Sequence, residues 1–215
     1  MLKNWWGTPK TSDLIQNALE EVYRMLEQEK GMFTCASEAL ITGRTPDIDL
    51  LKADQDINMG ERLVRRLVIE HLTLNPQKDL PVSLALISII HDVERIGDYT
   101  KSLEELANMR PPAMQNGAYA DRSRNIQTAI TPLFEMTLEA LRESDEDIAK
   151  TVMQLHLGVK TQTDELLQAA MQDENIQKDA LFYSVGSRFL RRISAHLSNI
   201  ASSIPNAFDQ LGRNR

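Results

Sequence analysis

The sequence predicts an all-α fold: six helices arranged as two tandem three-helix bundles related by a pseudo-twofold repeat. Three observations carry that reading. Apolar residues recur at helical spacing through nearly the whole chain, and no convincing alternating strand interrupts them. Glycine, proline and capping residues fall where six such segments would start and stop. The third and sixth segments also echo each other: Val93-Glu94-Arg95-Ile96 aligns with Leu190-Arg191-Arg192-Ile193 at an offset of 97 residues, which sets Leu84 on Leu181.

Each element has its own signals. The first helix begins near Thr11 or Ser12, where Ser12-Asp13 caps the apolar series Leu14, Ala18, Val22, Met25 and Leu26, and it stops at Gly43. The second starts after Pro46 with Asp47 in its first turn, carries Leu50, Leu51, Ile57, Leu63, Val64, Leu67 and Val68, and ends by Asn75-Pro76. The third opens at Asp79-Leu80-Pro81, where the missing proline N–H is harmless, and runs to about Met109 before Pro111-Pro112 ends it. Pro111 to Gly117 reads as the linker between the halves. The fourth spans about Ala120 to Arg142 with Pro132 inside it, where a kink or local opening is expected. The fifth spans about Asp145 to Met171, started by Ser144 with Glu146 and Asp147 placed well against the helix dipole. The sixth covers about Asn175 to Ile204, Pro205 is expected to stop it, and Asn206 to Arg215 reads as a frayed tail. The organisation is therefore 1–110 (an N-terminal extension and the first repeat), 117–204 (the second repeat) and 205–215 (the tail).

Composition narrows the class. With 215 residues, 42% hydrophobic and 26% charged, the chain suits a globular fold that needs no disulfide staple. A net charge of −7 argues against a nucleic-acid partner, which would draw on a surplus of Lys and Arg, and favours cations or basic protein faces. Cys35, the single cysteine, sits in Phe33-Thr34-Cys35-Ala36 and reads as a buried small residue of a helix interior. The nearly apolar stretch Leu80 to Ile90 is too short to span a bilayer, and Met1 to Trp6 has no apolar signal region, so a cytoplasmic location is expected. Trp5 and Trp6 are expected to pack on the bundle or on a partner.

The chemistry concentrates in residues 92 to 98, Asp-Val-Glu-Arg-Ile-Gly-Asp, where Asp92, Glu94 and Asp98 crowd around Arg95. Glu94 and Asp98, four apart, share a helix face on which like charges repel unless a cation joins them. Two readings satisfy that: a bound metal ion, or Arg95 pairing with Asp92 and Asp98 on a solvated acidic face. No phosphate-binding glycine loop, Gly-x-Ser-x-Gly elbow, His-Glu-x-x-His helix or Glu-x-x-His pair is present, so no enzyme or di-iron constellation is visible. On the sixth helix Arg188, Arg191, Arg192 and His196 make a basic stripe, read either as a face paired with acids of the fifth helix or as a docking strip for an acidic partner.

The 92–98 signature late in a third helix, Asp54-Gln55-Asp56-Ile57-Asn58 with Glu61 upstream, and the duplicated three-helix plan together resemble the PhoU family of phosphate-uptake regulators. The first repeat matches in motif and the second in outline. The resemblance implies a non-enzymatic regulator that docks on phosphate transporter components and a two-component histidine kinase, reaching the membrane peripherally through them, and that forms a homodimer. It also implies a divalent or trivalent metal ion, iron, zinc or magnesium, held by Asp54, Asn58, Glu61, Glu94 and Asp98. Asn58 stands where the family usually has an acid, which lowers the charge of the site. Helix five offers Leu157 and Thr161 at the positions aligned with Asp54 and Asn58, so no second cluster is expected there. Arg188, Arg191 and Arg192 are the partner-binding candidates. Two alternatives remain: a PhoU-like domain of a sodium/phosphate cotransporter, and a histidine phosphotransfer bundle using His91.

Overall fold

The computed structural model describes residues 12–44, 48–110, 114, 117–174 and 178–212, with side chains as far as Ile204. Six helices fill it: α1 (Asp13–Thr42), α2 (Leu50–Leu74), α3 (Leu80–Asn108), α4 (Ala118–Glu143), α5 (Glu146–Gln172) and α6 (Lys178–Gly212). Within each half all three helices touch one another. The halves join through α3 on α6 and α1 on α4, each helix against its repeat counterpart, as a pseudo-twofold relation requires. The expected separation into two bundles with their own apolar stripes is only partly met, because one continuous hydrophobic cluster runs from Ile15 to Ile204 through both halves. Phe33 of α1 and Phe134 of α4 meet inside it with ring centroids 5.2 Å apart.

The caps explain the boundaries. Ser12 closes α1 by accepting from the Ile15 N–H, while its hydroxyl donates to Nδ1 of the fully buried His71, whose Nε2 donates to the Lys78 carbonyl. The α1 start is thereby tied to the α2–α3 turn, and Asp79 adds an acceptor 3.2 Å from the Ser12 N–H. At the other end Gly43 takes a left-handed φ of 73°, and Arg110 donates to the free carbonyls of Leu40 and Ile41.

Five expectations need correction. Asp49, not a residue nearer Pro46, caps α2 by accepting from Lys52 N–H; Asp47 lies outside the described residues. Ser144 ends α4 in the left-handed region (φ 53°), and Asp145 starts α5, its Oδ1 accepting from the Asp147 and Ile148 N–H groups at 2.9 Å. Pro205 does not stop α6, which continues to Gly212. A proline removes one N–H bond, here to the Ala201 carbonyl, but its fixed φ is itself helical, so the backbone continues through it. Leu51 and Leu84, counted as apolar signals, are about 60% exposed (61% and 59%), and Cys35 is partly exposed because the neighbouring Phe33 and Ala36 take the core-facing positions. Helix α4 stays continuous through Pro132. Trp5, Trp6 and most of the 111–117 linker lie outside the described residues.

Candidate functional site

The acidic residues sit on a seam where α2 packs on α3, with α1 behind it. Asp54 is 6% exposed, one turn before Ile57 on the buried side of α2. Its Oδ2 lies 3.1 Å from the ammonium of Lys101, a residue of α3 that sequence reasoning overlooked. Lys101 is also 3.9 Å from Asp98 Oδ1, so one ammonium spans a carboxylate of each helix. Asn58 turns its amide donor back onto Asp54, to the backbone carbonyl at 3.0 Å and to Oδ2 at 3.4 Å. Glu61 accepts from Arg65 at 2.8 Å, and Arg95 donates to Asp98 Oδ2 at 3.0 Å.

Glu94 is left with the weakest partner, Nδ1 of the exposed His91 at 3.6 Å. Burial pushes its carboxyl above the usual range, and the charges of Asp98 and Glu61 push the same way. Behind the seam, Glu29 of α1 is fully buried, and neither of its carboxyl oxygens has a hydrogen-bond partner among the described residues. Burial raises its pKa well above the glutamate range, and the nearby Glu94 and Asp54 carboxylates add to the effect. Gly97 makes room there: a Cβ at that position would lie 3.6 Å from Glu29 Oε1 and 3.7 Å from Asp54 Oδ1.

A metal does not fit these residues as they stand. Among the described residues no group of three or more His, Cys, Asp or Glu side chains converges as an ion requires. Asp54, Glu61 and Asp98 are each engaged by a cationic side chain, and Asn58 presents a donor where an ion would need an acceptor. Asp92, grouped with this cluster from sequence, leaves it altogether. Its Oδ1 takes His196 Nδ1 at 2.7 Å and Asn199 Nδ2 at 2.9 Å, both on α6, and the His196 ring stacks on Tyr99 at 5.6 Å between centroids. Arg95 therefore pairs with Asp98 alone of its two expected acids.

The second half lacks the acidic seam. Leu157 is exposed and Thr161 bonds back to the Leu157 carbonyl. Arg191 pairs with Asp164 of α5 at 2.5 Å, at the repeat positions of Glu94 and Glu61. A like-charge repulsion in one half is thus an ion pair in the other. Of the basic stripe, Arg191 and His196 are used inside the fold. Arg188 and Arg192, one turn apart on α6, remain exposed.

Comparison with known proteins agrees with this plan. Residues 13–107 match the PhoU domain model. A phosphate-specific transport system accessory protein PhoU homolog from Synechocystis sp. is 23% identical over 192 residues, covering 86% of this chain and 85% of that protein. The crystal structure of PhoU from Pseudomonas aeruginosa superposes with a TM-score of 0.79 at 22% identity, covering 92% of this chain and 98% of the other. That of the phosphate transport system regulatory protein PhoU from Streptococcus pneumoniae gives 0.72 at 16% identity, covering 92% and 94%.

Proposed function

This chain belongs to the PhoU family, its first repeat being a PhoU domain, and on that premise we propose that it is a non-enzymatic regulator of phosphate uptake. It docks helix faces on components of a phosphate transporter and on a two-component histidine kinase, restraining both when phosphate is plentiful. The observation that carries the reading is coverage. The relationship to an accessory protein of phosphate-specific transport extends over most of both chains, so the likeness is to a whole regulator and not to a shared fragment. Helix-face docking suits the molecule. Among the described residues no helix is long and apolar enough to cross a membrane, so contact with a transporter runs through exposed surface. Arg188 and Arg192, without an ion pair among the described residues, supply exposed guanidinium groups on one such face, the type of group that grips carboxylates.

Deleting the gene in its host and measuring phosphate uptake and kinase output in phosphate-rich medium tests the proposal. Loss of the regulator should raise both, and the wild-type gene should restore them. A plasmid encoding Arg188→Glu with Arg192→Glu should restore neither while the protein keeps its helix content. Unchanged uptake and output in the deletion strain would refute a regulatory role.

A further inference from the structure

An ion is not the only way to hold a buried carboxylate between two helices. Asp54, 6% exposed, needs a compensating positive charge at that depth, because an unpaired buried carboxylate is strongly disfavoured. The ammonium of Lys101 supplies it at 3.1 Å and reaches Asp98 at 3.9 Å. These are one acid from α2 and one from α3, the pair a cross-helix ion would bridge. The surrounding groups are arranged for an ammonium and not for an ion: Asn58 adds an N–H donor to the same Asp54 oxygen, and Arg95 holds the other oxygen of Asp98. Four carboxylates at 54, 61, 94 and 98 meet three side-chain cations, Lys101, Arg65 and Arg95.

We infer that Lys101 is the resident cation of this seam, standing in the position a divalent ion would take and closing α2 on α3 without metal. Lysine and ion exclude each other. An ion seated on Asp54 and Asp98 at ordinary oxygen distances, about 2.0–2.6 Å, would face a like charge at near-contact range. Removing the lysine charge therefore opens the place to metal.

Titration calorimetry with Mn(II), an ion suited to oxygen donors, tests this on the full chain and on Lys101→Met, which keeps the apolar stem and deletes the charge. The wild type should show no saturable binding at micromolar ion. Lys101→Met should bind one ion per chain at least about tenfold more tightly, since even a screened unit charge near 4 Å outweighs that factor. Adding Asp98→Asn should abolish the gain, and Lys101→Arg should behave as wild type. In thermal melts, Mn(II) should raise the midpoint of Lys101→Met and leave that of the wild type unmoved. Should Lys101→Met fail to fold, Lys101→Gln, whose amide can still donate to Asp54, takes its place in the same comparison. Tight stoichiometric Mn(II) binding by the wild type would overturn the inference, and so would a charge-deleted variant with no gain.

Discussion

Replacing Glu29 by Met should stabilise the protein. The glutamate is fully buried between α1 and the α2–α3 seam, and among the described residues neither carboxyl oxygen has a well-formed hydrogen bond, the Gly97 backbone giving only partial compensation. A neutral carboxyl buried without partners costs about 1–3 kcal/mol, whereas methionine has similar length, equal helix propensity and no group to satisfy. The variant should therefore gain about 1–3 kcal/mol, or about 2–4 °C in midpoint per kcal/mol for a chain of this size. The gain should also depend on pH. Burial raises the Glu29 pKa in the folded protein, so the stability it contributes is complete below the unfolded value, about 4.3, and is lost as pH rises toward the folded value. The difference between variant and wild type must then widen as pH climbs above about 4.3 and level off past the folded pKa. Urea unfolding followed by far-ultraviolet circular dichroism at a series of pH values measures it. A variant no more stable than wild type, with the same urea slope, would show that Glu29 is compensated more fully than the Gly97 backbone alone provides.

Smaller perturbations probe the packing. Gly158 and Gly31 lie in helices with no atom near a built Cβ, so Gly158→Ala and Gly31→Ala should each add about 1 kcal/mol from helix propensity, read from thermal midpoints. Gly60 is different: a Cβ there falls 2.7 Å from the sulfur of the buried Met25, and Gly60→Ala should cost about 1–3 kcal/mol by overpacking the α1–α2 contact. The clasp between the halves, Asp92 to His196, should give a coupling energy of about 0.5–3 kcal/mol in a double-mutant cycle of Asp92→Ala and His196→Ala followed by urea unfolding. Additive single effects would mean that the clasp carries nothing.

Much of the fold was legible because its signals are local. Ser12, Gly43 and Pro81 mark helix ends by their own chemistry, whatever packs around them. Ser144 and Pro205 misled because their usual roles were overridden, one by a better acceptor next to it and the other by a fixed φ that is itself helical. The acidic seam was only half legible. Glu94 and Asp98 announce themselves by spacing, but Lys101 reaches Asp54 across 47 residues of sequence, and nothing local links them. Asp92 was misassigned for the same reason, since its partners lie more than 100 residues away on α6. Glu29 hides in the polar run Glu27-Gln28-Glu29-Lys30, yet a signal existed: Met25, Met32, Phe33 and Ala36 are buried on the same helix, and position 29 falls on their face.

The repulsion between Glu61 and Glu94 in one half and the Asp164–Arg191 pair at the same place in the other separate shape from charge. The backbone repeats itself, but an approaching surface would meet surplus negative charge at one end and a balanced pair at the other. Such a body has a built-in heading. A counterpart spanning both halves would fit it one way round, and a half turn that leaves the outline unchanged would lose the match of charge.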